Sequence, residues 1–110
     1  MVKKAIIFLG VAALFLSTSN VLAKVIYNQN QLQQFLQTNQ CPGCDLSSAA
    51  AANMNLSEAA LSNANLTTTN FSNSNLSDAN FTSSALYGAD LSYSNLYQAA
   101  ISTEQLAQAS

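Results

Sequence analysis

The chain has 110 residues, of which 49% are hydrophobic and only 7% charged, with three Lys, no Arg, five acids, no His and no Trp. Without His the commonest general base at neutral pH is missing, and two Cys alone cannot complete a four-ligand zinc site, so triad hydrolases and zinc enzymes are excluded. A formal net charge of -2 lacks the clustered cations that phosphate binding needs, which argues against direct nucleic-acid binding.

In chain order, residues 1–23 carry a basic start (Lys3, Lys4), an apolar run from Ala5 to Leu16, and a polar stretch ending in Val21-Leu22-Ala23. This is the layout of a secretory signal peptide with cleavage expected after Ala23, and the apolar run is short of the ~20 residues that cross a bilayer. The mature part, 24–110, keeps Lys24 against Asp45, Glu58, Asp78, Asp90 and Glu104, so its side-chain charge is 1 minus 5, or -4. The expectation is a periplasmic or secreted protein with no membrane span after cleavage, whose cysteines meet oxidising conditions.

Residues 24–43 read as an N-terminal cap. Leu32, Phe35 and Leu36 share one helical face, Asn28 stands as an N-cap, and Tyr27 with Leu32 has the spacing of a hydrophobic staple, predicting a helix near 29–38.

From residue 46 every fifth residue is apolar: Leu46, Ala51, Leu56, Leu61, Leu66, Phe71, Leu76, Phe81, Leu86, Leu91, Leu96 and Ile101. Chance would give this on the order of 10⁻⁴ of the time. Two places earlier stands a mostly small residue, the place between favours Asn or Asp, and the remaining two are mainly Ser, Thr and Asn. A period of five fits neither helix nor long strand, so each unit is a short extended side followed by a corner.

Units such as Ala64-Asn65-Leu66-Thr67-Thr68, Ala79-Asn80-Phe81-Thr82-Ser83 and Ala89-Asp90-Leu91-Ser92-Tyr93 resemble the pentapeptide-repeat family over residues 44–103. The resemblance implies an all-β fold: a right-handed quadrilateral β-helix of about three coils, with four units per coil and adjacent coils ~4.8 Å apart. Residues twenty apart should then stack. One wall holds Leu46, Leu66 and Leu86; the next Ala51, Phe71 and Leu91; the third Leu56, Leu76 and Leu96; the fourth Leu61, Phe81 and Ile101. Asn55, Asn75 and Asn95 align on the third wall, where stacked amides can form a ladder.

A solenoid exposes core and backbone at its ends and needs caps. At the back, Ser102-Thr103-Glu104-Gln105 reads as a capping box, predicting a short helix over about 103–109 that makes up most of the closing segment 104–110.

Candidate chemistry is sparse. Cys41-Pro42-Gly43-Cys44 is a Cys-X-X-Cys pair that reads as a structural disulfide or packed thiols; the redox alternative lacks a helix N-terminus to stabilise a thiolate. Glu58 and Asp78 should be outward neighbours on the third wall, read as solvated charges rather than a cation site. Five Asn-X-Ser/Thr triplets, at Asn55, Asn65, Asn70, Asn75 and Asn80, are generated by the repeat itself. Tyr87, Tyr93 and Tyr97 take outward places in the last coil, either as an interaction surface or as covers for the C-terminal cap.

The reading is an exported, non-enzymatic scaffold or protein-interaction module with an unidentified protein partner, no cofactor and no metal, acting as a monomer or weak homo-oligomer. Two alternatives stand beside it. One, implied by the family resemblance, is a DNA-mimicking modulator of type II topoisomerases, opposed by the export signal and the short rod. The other is a thiol oxidoreductase resting on Cys41 and Cys44. An ice-binding surface is disfavoured because Thr67, Thr68, Thr69 and Thr82 make no regular column.

Overall fold

The structure, a computed structural model, describes residues 20–110, with side chains from residue 28 onward. The basic and apolar start of the expected signal peptide lies outside the described residues. Helix α1 spans Asn20–Thr38. It begins well ahead of the start near residue 29 expected from sequence, so Asn28 lies inside the helix and is not its N-cap. Neither Gly nor Pro interrupts residues 20–38, so nothing in the local chemistry stops the helix at Asn28. The Tyr27 side chain, half of the expected staple, lies outside the described residues. Among the described residues no helix is long and apolar enough to cross a membrane.

The apolar face of α1 closes the first coil: Phe35 is fully buried, with Leu32 and Leu36 packed partly buried against the same core. The helix ends on Asn39, which takes φ 55° and donates its N–H to the Phe35 carbonyl at 2.7 Å, the left-handed ending that Asn tolerates. Side chains then seal the exposed backbone of the coil beneath. Gln31 Oε1 accepts the Asp45 N–H at 2.6 Å, Gln34 Nε2 donates to the Gln40 carbonyl at 3.1 Å, and Asn39 Nδ2 donates to the Asn55 and Ser57 carbonyls at 3.4 and 3.3 Å.

Beyond α1 the chain winds into coils held by parallel bridges between residues twenty apart, from Gln40↔Ala60 to Asn80↔Ala100. With five residues per unit, twenty residues make four units per coil. Each bridge is isolated, and the described residues contain no continuous strand, because a corner interrupts the extended backbone within every unit. At that corner the carbonyl of the large apolar residue accepts the N–H three residues on, as in Ala49 to Leu46 (3.0 Å), Thr69 to Leu66 (3.1 Å) and Ser84 to Phe81 (2.9 Å). The third residue of the turn has positive φ at Ser48, Asn53, Glu58, Asn63, Thr68, Asn73, Asp78, Ser83, Tyr93 and Gln98, and at Gly43 and Gly88. This is the signature of a type II turn.

Left-handed backbone costs a non-glycine residue roughly 1 kcal/mol or more. Pairing between coils offsets it: Ser48, Asn53, Glu58, Asn63, Thr68, Asn73 and Asp78 each donate N–H to the next coil at 2.8–2.9 Å. The turn would leave these donors unmatched if the corner relaxed.

The ladder starts one unit earlier than the expected boundary at residue 44. Gln40 bridges Ala60, Cys41 N–H donates to Ala60 O at 2.9 Å, and Gly43 N–H to Ser62 O at 2.8 Å. Residues 39–43 are thus a unit of the solenoid rather than part of the cap. Its corner has Pro42 and Gly43 at the second and third turn positions, the residues a type II turn favours there.

The core is the stack of large places. Leu46, Leu56, Leu66, Phe71, Leu76, Phe81 and Leu86 are at most 2% exposed and Leu91 is 9% exposed. Leu96 and Ile101, in the last units, are only partly buried. Phe71 and Phe81 meet edge to face across the middle coil, with centroids 6.2 Å apart. Three polar residues reach the interior at small places and each finds a partner: Thr69 Oγ1 donates to Leu46 O, Ser74 Oγ to Ala51 O, and Ser84 Oγ to Phe81 O, at 2.7–2.8 Å. A hydroxyl so bonded is tolerated inside.

Helix α2, Thr103–Gln108, closes the other end. Ser102 and Gln105 form the reciprocal capping box read from the sequence: Ser102 Oγ accepts the Gln105 N–H at 3.1 Å and Gln105 Oε1 accepts the Ser102 N–H at 2.9 Å.

Candidate interaction surface

The Asn/Asp place has a local purpose in every coil. Its Oδ1 accepts the N–H two residues on, as from Ser47 to Asp45, Ser57 to Asn55, Thr67 to Asn65, Ser72 to Asn70, Thr82 to Asn80 and Ser92 to Asp90, at 2.9–3.3 Å. Where Ser or Thr follows, its hydroxyl often donates to the same oxygen, at 2.6–2.7 Å for Thr67, Ser72, Thr82 and Ser92. These Asx turns preset each corner. The amides at Asn65, Asn70 and Asn80, which also head glycosylation-type triplets, are engaged in the fold in this way.

The third stack carries the amide ladder: Asn75 Nδ2 donates to Asn55 Oδ1 at 3.4 Å and Asn95 Nδ2 to Asn75 Oδ1 at 3.3 Å. A similar step joins Asn65 Nδ2 to Asp45 Oδ1 at 3.4 Å. The Asn/Asp column and several of the Ser and Thr beside it are therefore bonded to one another.

The Asp90 carboxyl is held below the ordinary carboxylate value, by the hydrogen bond from the Ser92 hydroxyl and then by the Ser92 N–H. A depressed folded-state pKa contributes stability that is present above the unfolded value near pH 4 and is lost as pH falls through the folded value. Asp90→Asn retains the acceptor oxygen that Asn70 provides one coil below. We expect it to leave the melt near neutral pH unchanged and to flatten its decline below about pH 4. An unchanged acid limb would show that Asp90 does not carry it.

At the opening turn a disulfide joins Cys41 to Cys44, with Cα atoms 5.4 Å apart. Cys41 is fully buried in a large apolar place and Cys44 is 8% exposed in a small one. The pair follows the C-terminal end of α1, where the helix dipole disfavours a thiolate, and it spans a turn rather than a helix N-terminus.

The acidic pair, Glu58 and Asp78, occupies stacked corner positions at φ 60° and both residues are exposed. Among the described residues no group of three or more His, Cys, Asp and Glu could hold a metal ion.

The large exposed side chains gather at one end. Tyr87 is 58% exposed, Tyr93 89% and Tyr97 68%, with Leu106 of α2 43% exposed. In the coil below, the places under Tyr87, Tyr93 and Tyr97 hold Thr67, Asn73 and Ser77. Tyr87 and Tyr97 follow the large apolar residue of their units, and Tyr93 sits at a left-handed corner with φ 58°. The rings therefore stand on three successive units of the last coil. Their phenolic oxygens have no hydrogen-bond partner among the described residues.

One residue that sequence reasoning treated only as half of a capping box does more. Gln105 is 8% exposed, and its Nε2 donates to the Phe81 and Ser84 carbonyls at 2.6 and 2.9 Å and lies 3.1 Å from Ser84 Oγ. It plugs the open end of the core. From the last residue of α2 the chain returns to the last coil: Gly88 N–H donates to Gln108 O at 2.9 Å and Ser110 N–H to Ala89 O at 2.7 Å.

Comparison with known proteins gives a consistent result. The family model described as pentapeptide repeats matches residues 44–82 and 64–99, in eight copies. No curated protein and no solved structure matches the chain. The matched span, 44–99, is 56 of 110 residues (99 minus 44, plus 1), and with the five-residue unit and twenty-residue register described above, the chain belongs to the pentapeptide-repeat family.

Proposed function

We propose that this chain is an exported, non-enzymatic interaction module, built as a right-handed quadrilateral solenoid, that presents the Tyr-bearing end of its rod to a protein partner. The observation that carries the reading is the contrast between the two kinds of surface. The outward places of the first two coils hold only small residues and a few acids, many of them hydrogen-bonded within the fold, whereas the last coil exposes Tyr87, Tyr93 and Tyr97 beside Leu106.

Tyr has few rotatable bonds for its size and buries a ring while its hydroxyl stays hydrogen-bonded, so three rings support a modest interface. The buried disulfide, placed in a turn at a helix C-terminus, favours a structural over a redox role.

Replacing Tyr87, Tyr93 and Tyr97 together by Ser tests the reading. The expected result is a melting temperature near wild type with partner capture or self-association weakened by roughly tenfold or more, the scale of losing aromatic anchors. A loss of several degrees with association unchanged would make the rings covers of the cap and remove the surface from the account. Export is tested separately by mass spectrometry of the native protein, which should begin at Lys24. Recovery of intact Met1 from the cytoplasm would remove export from the proposal.

A further inference from the structure

The opening unit is braced differently from the units of the middle coil. Its backbone ladder runs to one side only: Asn39 O accepts the Ala60 N–H at 2.8 Å, Cys41 and Gly43 donate to Ala60 O and Ser62 O at 2.9 and 2.8 Å, and Cys44 O accepts the Asn65 N–H at 2.8 Å. On its other side lies α1, joined to this turn by side chains: Gln31 Oε1 accepts the Asp45 N–H at 2.6 Å and Gln34 Nε2 donates to Gln40 O at 3.1 Å. Cys41 and Cys44 fill the large and the small inward places of successive units, which Leu61 and Ala64 fill one coil on, both at most 2% exposed.

The disulfide between them is enclosed by the helix. Cys41 has no exposed surface and Cys44 is 8% exposed. Cys41 Sγ lies 3.6 Å from the Gln31 carbonyl oxygen, and Leu32 and Phe35 of α1 pack into the same core. We infer that Cys41 and Cys44 are a redox latch for α1: a disulfide oxidant closes the pair while the helix is undocked, the helix then seals the bond, and reduction releases the helix while the coils stay wound.

Two arguments carry the latch. Thiol–disulfide exchange proceeds by attack of a thiolate on a sulfur and depends on access to it. With α1 seated Cys41 offers none, so the bond forms before the helix docks and is reduced when the helix lifts. The second argument is volume. Reduction adds a proton to each sulfur and turns a covalent bond into a van der Waals contact, in a packed core where extra volume forces neighbours aside. The neighbour on one side is Leu61, in a coil tied to this unit by the four backbone hydrogen bonds above. On the other it is α1, held to the turn by Gln31 and Gln34, so the helix gives way first.

The reaction that supplies the bond is exchange with a small-molecule or protein disulfide. One cysteine thiolate attacks the oxidant's disulfide, forming a mixed disulfide and expelling one thiolate. The other cysteine thiolate attacks the sulfur of the first and expels the second. Two electrons and, overall, two protons pass to the oxidant, which leaves as two thiols. The pair turns over no further substrate. For an exported chain this order closes the cap only in an oxidising compartment.

Amide exchange read by NMR and the rate of reduction by dithiothreitol, both on the full chain, test the latch. Reduction should speed exchange of the Asp45 N–H, which bonds to Gln31, at least tenfold, leaving the Leu66 and Phe71 N–H groups protected. Oxidised glutathione added after removal of the reductant should restore slow exchange at Asp45. Leu32→Ala, and Gln31→Ala as a second variant that spares the core, should each speed reduction of the oxidised chain about fivefold or more. Cys41→Leu with Cys44→Ala, matching the residues one coil on, should make Asp45 indifferent to the reductant.

Unchanged exchange at Asp45 on reduction, equal acceleration at Leu66 and Phe71, or a reduction rate that neither helix variant alters would each overturn the proposal. So would a response to the reductant that persists in the variant lacking both cysteines. The latch needs neither the Tyr-bearing surface nor export, which the triple Tyr substitution and the N-terminal mass test on their own.

Discussion

Replacing Phe71 by Asp should abolish the cooperative thermal transition of this protein. Phe71 is fully buried in the middle coil and meets Phe81 edge to face at 6.2 Å, with a coil on either side. Removing such a ring costs about 3–5 kcal/mol, and an unpaired carboxylate in its place adds several more. A domain of this size has a total stability of roughly 5–15 kcal/mol, so the sum is comparable with the whole. Phe71→Leu, which matches the other large places, should instead retain a cooperative melt at lower temperature. Circular dichroism and calorimetry decide it, and an unchanged melt of the Asp variant would contradict the inward assignment.

The second large effect is expected at Gln105. Gln105→Ala removes the donor to the Phe81 and Ser84 carbonyls and the acceptor of the Ser102 N–H. Buried groups left unmatched cost about 1–3 kcal/mol each, less where water enters, so a loss of about 2–4 kcal/mol is expected. That corresponds to a drop in melting temperature of about 10 °C or more. The N–H of Gly88, which bonds to Gln108 at the end of α2, should also exchange faster as the helix detaches. A melt within a degree or two of wild type would show that α2 does not close the rod through this side chain.

What could be read in advance followed the strength of the local signal. The large apolar place announces itself because burial tolerates only a few residue types, so Leu46 to Ile101 give the five-residue unit directly, and the family resemblance turns it into the twenty-residue stack. The capping box at Ser102 and Gln105 was legible because its partners are three residues apart. The same Gln105 reaching Phe81 O was not, since that bond spans 24 residues and depends on how α2 folds back.

The left-handed corners were equally hidden. Glu58, Thr68 and Tyr93 have no preference for positive φ, and pairing with the next coil overrides their local tendency. The opening unit at 39–43 carried a signal, since Pro42-Gly43 fits a type II corner, but its large place is filled by Cys41 and reads as chemistry before it reads as packing. Of the candidate surface, the outward places of Tyr87, Tyr93 and Tyr97 follow from their positions in the unit.

The central claim is that backbone pairing joins residues one four-unit coil apart. Scalar couplings across hydrogen bonds, detected by NMR between an amide nitrogen and the carbonyl carbon it donates to, test it most directly. They should connect Phe71 N to the Asp90 carbonyl, Leu66 N to Ala85, and Asp90 N to Thr69, where the donor and acceptor lie 2.8–2.9 Å apart. Couplings that instead joined residues about fifteen or twenty-five apart would mean three or five units per coil and would contradict the four-unit coil on which the core and the caps depend.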